Sequence, residues 1–223
     1  MSGNELHDYY DHDYHRLRHP MLLSDEEYFW SRARASAELN LGPVSKEARI
    51  LEYGCGLGQN IALVPGAVGY DPSTDAVRAC AKRNIPVFDT VKDIPKSYYD
   101  VVLCRHVLEH VPSPLEALEV MRSVLRPSGL LILILPREKH RHPVSFDPDL
   151  NQHLYCWNFR TIDNLLALAR YRVILNKVQY VVGYRRLLPL KRWLGYKAYY
   201  YGTLAAGRLC GVSELVIHAQ REE

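Results

Sequence analysis

Short apolar runs alternate with amphipathic segments through the middle of the chain. The predicted strands lie at residues 49–53, 68–71, 85–88, 99–104, 130–136, 173–182 and 213–220. Helical segments separate most of them, and strand–helix alternation is typical of a mostly parallel sheet with helices on both faces. The pattern therefore predicts an α/β fold.

Polar caps, glycine and proline mark the predicted helix boundaries. Ser24 is a predicted N-cap for a helix that continues to about Leu41, where Gly42-Pro43 ends it. Ser113 is followed by Pro114 and Glu116, the pattern of a proline at N1 and a capping box. The other predicted N-caps are Ser73 and Thr161.

The most informative segment is Ile50-Leu51-Glu52-Tyr53-Gly54-Cys55-Gly56-Leu57-Gly58-Gln59-Asn60. A strand leads into three glycines, and a helix is predicted to begin at Gly58. Glycines at such a turn let a ligand lie directly against the backbone. A dinucleotide-binding loop would place its third glycine where Gln59 stands, and Glu52 would repel phosphates and attract an ammonium group. The segment favours a ligand with amino acid and nucleoside parts, such as S-adenosylmethionine.

Four motifs in order resemble the class I S-adenosylmethionine-dependent methyltransferases and cover roughly residues 48–136. The later three are Val68-Gly69-Tyr70-Asp71-Pro72-Ser73, the segment 99–111, and Leu125-Arg126-Pro127-Ser128-Gly129 with the strand after it. The resemblance implies a Rossmann-like, doubly wound, seven-stranded sheet whose last strand is antiparallel. The chain departs from the family where only twelve residues separate Gly58 from Asp71 and where Pro86 interrupts the third strand.

The resemblance also implies how S-adenosyl-L-methionine and its product S-adenosyl-L-homocysteine would be held. The glycine loop would contact the methionine portion, with Glu52 near its ammonium group, and Asp71 would accept hydrogen bonds from the ribose hydroxyls. For the adenine we prefer Asp89, with Asp93 as the alternative. Tyr28 would cover the cofactor or pack in the core. The remaining predicted contacts are Gly54, Cys55, Gly56, Gly58, Pro72, Cys104 and Arg105.

The predicted catalytic residues are three histidines, His106, His110 and His153. The first two follow the fourth strand, and residues beyond the carboxyl end of a parallel strand line the binding crevice. Histidine is the usual general base near neutral pH, and His110 is our first choice for that role. The alternative is that Glu109 and His110 only hydrogen-bond the following loop. The predicted reaction is methyl transfer to an O or N atom of a sugar, a phenol or a lipid-linked intermediate.

Two other functions fit part of this pattern. Metal-dependent methyltransferases of RNA 3′ ends carry Glu-x-x-Glu-His on this loop and a later histidine, and this chain has His106-x-x-Glu109-His110 and His153. Such a set could bind a divalent metal, although we predict no resident metal. A non-catalytic S-adenosylmethionine-binding protein is the third alternative.

The composition of the chain bears on its binding partners and on its cellular compartment. A formal net charge of +3 over 223 residues does not predict nucleic-acid binding. Five scattered cysteines without a Cys-x-x-Cys motif suggest reduced thiols and a cytoplasmic protein. The sequence contains no apolar signal region at its N-terminus and no run long enough to span a bilayer.

Two segments flank or interrupt the methyltransferase pattern. Residues 1–47 form a predicted N-terminal cap before a domain at 48–223. The cap carries histidines at 7, 12, 15 and 19, which belong either to an arm over the cofactor or to a metal site.

Residues 183–211 form a basic insert with six basic and no acidic residues. Its predicted helical stripe, with Trp193 beside it, fits contact with an anionic membrane, a substrate lid, an oligomer contact or plain core packing. The stripe consists of Leu187, Leu190, Leu194, Ala198 and Tyr201.

Overall fold

The computed structural model describes residues 14–137 and 153–223, which form a seven-stranded sheet flanked by helices. The strands are β1 (Ile50–Tyr53), β2 (Val68–Tyr70), β3 (Val87–Phe88), β4 (Tyr99–Arg105), β5 (Leu125–Pro136), β6 (Tyr171–Tyr180) and β7 (Ser213–Arg221). Their spatial order is β3-β2-β1-β4-β5-β7-β6. Strand β7 is antiparallel to β5 and β6, and the other pairs are parallel. The predicted fold is confirmed, including the antiparallel last strand.

Helices cover both faces of the sheet. They are α1 (Tyr14–Arg18), α2 (Pro20–Ser24), α3 (Glu26–Leu41), α4 (Thr74–Ala81), α5 (Pro114–Val124), α6 (Phe159–Leu168) and α7 (Leu188–Cys210), with a 3₁₀ turn at Val91–Asp93. Alternate residues of β1, β4 and β5 enter two separate cores, one shared with α3 and α4 and the other with α5 and α6. The central strands are apolar without alternation because both of their faces are buried.

The N-caps follow the sequence signals closely but not at every helix. The Ser73 hydroxyl accepts from Ala76 N at 3.2 Å, and Ser113 accepts from Glu116 N at 3.4 Å, as predicted. Two predicted caps are wrong. Helix α3 is capped by Asp25, because the preceding residues form the short helix α2 that ends at Ser24. Helix α6 is capped by Asn158, and Thr161 returns the bond as the third residue of a capping box.

The helix predicted to begin at Gly58 does not form, and the chain connects β1 to β2 through consecutive turns. Gly58 has a left-handed φ of +77°, and Gly66, after Pro65, has a φ of +71°. Too few residues lie between them to offset the cost of nucleating a helix. Leu57 and Ile61 are nevertheless buried, so the segment closes this end of the core without regular structure.

The basic insert forms α7, but the predicted apolar stripe is wrong. Gly195 has φ +84° and ψ 175° inside this helix, so the two halves do not share one continuous face. The side chains that pack inward are Leu188, Tyr199 and Thr203, and Gly207 lies so close to β6 that a Cβ would come within 2.4 Å of Val181 N. Within 14–137 and 153–223, no helix combines the length and apolar character needed to cross a membrane.

The sheet topology determines where a binding crevice forms. β1 and β4 are parallel neighbours in register, with Tyr53 beside Cys104. From this pair, β2 and β3 continue to one side and β5, β7 and β6 to the other. The loops leaving β1 and β4 therefore diverge at the point where the strand order reverses, which is where open α/β sheets bind their ligands.

Candidate active site

A cavity of about 660 Å³ lies at the carboxyl ends of β1 and β4. Its volume is in the usual range for small-molecule sites. One wall comes from the loops after β1 and β2, and the opposite wall comes from the loop after β4 together with Pro136 and His153. The cavity is covered by side chains of α1 and α3 and by His19, which follows α1.

The loop after β1 requires glycine at each of three positions. Gly54, Gly56 and Gly58 have left-handed φ values of +73°, +52° and +77°. A Cβ on Gly54 would lie 2.4 Å from Val107 Cγ2, and a Cβ on Gly58 would lie 2.7 Å from Ile85 Cδ1. The backbone N–H of Gly54 and of the next residue both donate to the Tyr70 carbonyl, at 2.8 and 2.9 Å. The loop is thus anchored to β2 with its bare backbone toward the cavity.

Asp71 connects the glycine loop to the turn after β2. One carboxylate oxygen accepts from Gly56 N at 2.7 Å, and the other accepts from Ser73 N at 3.0 Å. The side chain is buried yet lines the cavity. A carboxylate oxygen can accept more than one hydrogen bond, so these two backbone bonds are compatible with the ribose-binding role predicted for Asp71.

Glu52 lies beneath the cavity and acts on it through Asn60. Its Oε1 accepts from Asn60 Nδ2 at 2.5 Å, and burial raises the pKa of Glu52 to about 8, with Asn60 opposing that rise. Asn60 lines the cavity, and its buried Oδ1 has no donor among the described residues, nor has Glu52 Oε2. Two unsatisfied acceptors beside an open glycine loop fit a ligand that carries an ammonium group.

A buried ion network forms the wall beyond β4. Arg105 and Glu214 are paired, and both side chains are 8% exposed. His106 Nε2 lies 3.1 Å from the same Glu214 oxygen, and His106 has a left-handed φ of +56°. Burial alone would raise the pKa of Glu214, but Arg105 and His106 outweigh it and hold this pKa far below its usual range. Burial, and then Arg105, lower the pKa of His106, so its imidazole is neutral near pH 7.

A second cluster on the same wall joins Glu109, His110 and His153. One potential ligand atom from each lies within 4.8 Å of the others, and Glu109 is fully buried. The rings of His110 and His153 meet edge to face with centroids 4.8 Å apart, and Leu154 N donates to the Glu109 carbonyl at 2.7 Å. Glu109 Oε1 lies 3.9 Å from His110 Nε2, which is beyond hydrogen-bond distance but close enough for an electrostatic interaction.

Helix α1 and His19 lie over the cavity. His15 is packed on the glycine loop, where a Cβ on Gly56 would come within 3.1 Å of its ring, and Arg16 is paired with Asp75 of α4 at 3.1 Å. The Tyr14 ring contacts His15, His19 and His110 edge to face. Of the four histidines predicted in the N-terminal arm, positions 7 and 12 lie outside the described residues.

The structure brings most of the predicted site residues to this cavity, but not all. Those that line it are Gly54, Cys55, Gly56, Asp71, Pro72, Arg105, His106, His110 and His153. Gly58 and Glu52 support it from behind. Cys104 faces the core and is fully buried, Asp89 is exposed at the end of β3, and Tyr28 packs between helices. None of these three lines the cavity, because β4 residues alternate between faces and β3 has only two residues.

Sequence reasoning missed several residues that the fold places here. Asn60 and Arg32 line the cavity, and Glu214 holds both Arg105 and His106. His15 and His19 also line the cavity, and the sequence predicted them as part of an arm over the cofactor or of a metal site. Asn60 belongs to the glycine segment, and a polar side chain at the end of this turn could have been predicted to face the ligand. Glu214 is 109 residues from Arg105, and no local pattern marks such a pair.

Comparison with known proteins identifies a family. Residues 22–181 match a family model described as a methyltransferase domain. A curated relative, a probable methyltransferase from Aspergillus luteorubrus, is 31% identical over 154 residues, covering 58% of this chain and 53% of the relative. A ubiquinone biosynthesis O-methyltransferase from Haemophilus ducreyi is 29% identical over 103 residues, covering 38% and 44%. This chain thus spans about half the length of the curated relatives it matches.

Solved structures with low sequence identity share the fold. A phosphoethanolamine N-methyltransferase from Haemonchus contortus, solved with S-adenosyl-L-methionine, superposes with a TM-score of 0.65. It is 15% identical, and the match covers 98% of this chain and 60% of the other. At this identity the comparison supports the architecture alone.

Proposed function

This chain belongs to the class I S-adenosylmethionine-dependent methyltransferases, and from that premise we propose that it transfers a methyl group from S-adenosylmethionine to an O or N atom of a small molecule. The observation that carries the proposal is a shared cavity, in which the glycine loop, Asp71 and Asn60 on one wall face histidines on the opposite wall. A curated relative named as an O-methyltransferase supports an oxygen acceptor, and we keep nitrogen as the alternative acceptor atom. Sugars, phenols and lipid-linked intermediates remain the acceptor classes that we propose.

The cofactor half of the cavity has the donors and acceptors that S-adenosylmethionine needs. We assign the methionine portion to the loop at Gly54–Gly58, its ammonium group to Asn60 and Glu52, and the ribose hydroxyls to Asp71. When bound, the cofactor supplies an electrophilic methyl group, so the protein has to orient both reactants and accept a proton. We propose that residues 14–47, the described part of the predicted cap at 1–47, cover this site, and that 48–223 is the methyltransferase domain.

On the acceptor side, we propose His110 as the general base. It lies at the cavity surface, and the Glu109 carboxylate behind it stabilises the imidazolium that forms when it takes a proton. His153 packs against its ring and restricts its orientation. His106 has one nitrogen at Glu214 and is kept neutral, which makes it a suitable hydrogen-bonding partner for the acceptor.

A second candidate is metal-assisted transfer. The convergence of Glu109, His110 and His153 favours it, since one carboxylate and two imidazoles are a common donor set for divalent transition metals. The resemblance to the RNA 3′-end enzymes is weakened, because His106 is turned to Glu214 instead of joining this group. We therefore keep transfer without a resident metal as the first proposal.

We further propose that α7 makes peripheral contact with an anionic membrane. Lys191 and Arg192 are paired with Glu27 of α3, so they stabilise the fold. The outward side chains include Trp193, which is 85% exposed, and Leu194, which is 70% exposed. The basic residues exposed alongside them, without an acidic partner among the described residues, are Arg185, Arg186, Lys197 and Arg208. Exposed aromatic and basic side chains together favour an anionic lipid surface.

Cysteine chemistry supports a reducing compartment. The five cysteines are all free thiols, and three of them, Cys55, Cys80 and Cys104, are buried. Persistent free thiols are typical of cytosolic proteins. We therefore propose a cytoplasmic enzyme.

Two measurements test the main proposal. Isothermal titration should show one S-adenosylhomocysteine bound per chain and no binding of NAD. Incubation with S-adenosylmethionine labelled in its methyl group, in fractionated extract of the host, should then yield a labelled small molecule that mass spectrometry can identify. Binding of NAD without S-adenosylhomocysteine would reject the proposal, and binding without any transfer would identify a non-catalytic cofactor-binding protein.

A further inference from the structure

Arg32 presents a guanidinium to the cavity that no described acidic residue neutralises. It extends from α3 to the cavity wall, stacked on the Tyr184 ring at 4.7 Å from its centroid. Its Nη1 donates to the Tyr28 hydroxyl at 3.4 Å, and its buried Nε has no acceptor within the described ranges. Arginine is fully charged at all physiological pH values, so this part of the cavity is positive and lacks a counterion.

The histidines beside Arg32 are neutral at physiological pH. Burial, and then Arg32 and His15, lower the pKa of His19 to about 3. The same guanidinium also lowers the pKa of His106. Arg32 therefore lies close to both histidines, and their neutral rings can donate hydrogen bonds to a ligand that the guanidinium attracts.

The acidic residues of the site are engaged elsewhere. Asp71 accepts from the backbone of Gly56 and Ser73. Glu214 is paired with Arg105, although Arg32 also contributes to lowering the pKa of Glu214. Within residues 14–137 and 153–223, no carboxylate lies within salt-bridge distance of Arg32. The charge on this wall is therefore available to a ligand.

We propose that the methyl acceptor carries an anionic group, a carboxylate or a phosphate, and that Arg32 binds this group with His19 beside it. The inference rests on the methyl transfer proposed above and names the chemical class of its acceptor. A guanidinium presents two parallel N–H donors that match carboxylate and phosphate oxygens. Val111, Pro112 and Pro136 give the neighbouring wall an apolar surface, so the anion would be attached to an apolar or aromatic body.

Another source of a carboxylate is the methionine portion of the cofactor itself. The two sources differ in what Arg32 would stabilise. If Arg32 holds the acceptor, its loss leaves the affinity for S-adenosylhomocysteine unchanged. If it holds the cofactor, that affinity falls.

Isothermal titration of the full chain, saturated with S-adenosylhomocysteine, tests the proposal with benzoate, inorganic phosphate and benzamide, the neutral isostere of benzoate. We expect benzoate to bind at least about tenfold more tightly than benzamide, a difference of about 1.4 kcal/mol. Arg32→Gln should remove this preference and the binding of phosphate, with the affinity for S-adenosylhomocysteine within about twofold of wild type. Arg34→Gln is the matched control, because Arg34 lies on the same helix but stacks on Tyr196 outside the cavity.

Each outcome has a distinct meaning. Equal affinity of the wild-type complex for benzoate and benzamide would overturn the inference without any variant, so it does not depend on Arg32→Gln folding. Loss of S-adenosylhomocysteine affinity in Arg32→Gln, with the benzoate preference retained, would assign the guanidinium to the cofactor and also overturn it. Failure of wild-type protein to bind S-adenosylhomocysteine would instead reject the proposed function.

Discussion

Replacing Asp71 tests the cofactor half of the site most directly, because this side chain has both a structural and a binding role. Its two oxygens accept from Gly56 N at 2.7 Å and Ser73 N at 3.0 Å, and only 7% of its surface is exposed. Asp71→Ala removes both acceptors. Asp71→Asn keeps one acceptor oxygen and places an amide donor against one of the two N–H groups. We therefore expect its stability and its affinity for the cofactor to lie between those of wild type and those of Asp71→Ala.

The expected magnitude follows from these contacts. A hydrogen bond to a charged group contributes roughly 1.5–3 kcal/mol, and a buried N–H left without an acceptor costs about 1–3 kcal/mol. Water reaches the space left by alanine, so we expect the free energy of unfolding to fall by about 3 kcal/mol in total. Domains of this kind have roughly 5–15 kcal/mol of stability, and the fold should survive. Loss of the ribose contacts should weaken S-adenosylhomocysteine binding by a further 1.5–3 kcal/mol, or about 10- to 150-fold.

Calorimetric titration with S-adenosylhomocysteine and denaturant unfolding should be measured for both variants. Asp163→Ala is the control, since Asp163 also accepts through both oxygens, from Asn176 at 3.2 and 2.9 Å, but lies outside the cavity. It should leave cofactor affinity unchanged. If Asp71→Ala is less stable yet binds S-adenosylhomocysteine within twofold of wild type, Asp71 only anchors the glycine loop and the predicted ribose contact is wrong.

Three further predictions address the acceptor wall, the buried glutamate and α7. His110→Ala should reduce turnover by about 10²–10⁴-fold with little change in cofactor affinity; if the metal candidate is correct instead, EDTA abolishes activity, divalent metal restores it, and Glu109→Ala is equally damaging. Burial raises the pKa of Glu52 from 4.5 to about 8. The folded protein therefore binds this proton more tightly than the unfolded chain does. The resulting contribution to stability is complete below pH 4.5 and is lost as the pH rises through 8. The free energy of unfolding of wild type should therefore fall relative to that of Glu52→Gln over this range, and a constant difference between the two proteins would contradict the assignment. The fraction of protein that sediments with anionic vesicles should decrease with rising salt and in the Trp193→Ser/Lys197→Ala variant. If the wild type does not bind these vesicles at low salt, α7 does not contact a membrane and its role is structural.

Local features of the sequence predicted the fold and the cofactor loop well. The left-handed glycines at 54, 56 and 58 and the caps at Ser73 and Ser113 depend on residues close in sequence, so a single segment contains the necessary information. The same is true of β1, β4 and β5, whose apolar runs record burial on both faces. The order of the four motifs then made the parallel sheet and its antiparallel last strand predictable.

Packing decided the features that the sequence pattern misjudged. The stripe in α7 assumed one uninterrupted helix, but Gly195 changes the helical phase, so Tyr199 and Thr203 are buried while Leu194 faces outward. Cys104 and Arg105 were assigned together to the cofactor, yet adjacent residues of a strand point to opposite faces. Cys104 therefore enters the core while Arg105 reaches the cavity.

The sequence alone determined that the chain forms a methyltransferase-type sheet with a glycine loop after its first strand, because apolar runs and left-handed glycines are encoded locally. The tertiary structure decided which charges meet at this site. Glu214 reaches Arg105 and His106 from the last strand only because β7 inserts between β5 and β6, and Arg32 reaches the cavity only because α3 packs across the sheet. Electrostatic interactions act through space, so residues far apart in sequence set the chemistry of the acceptor wall.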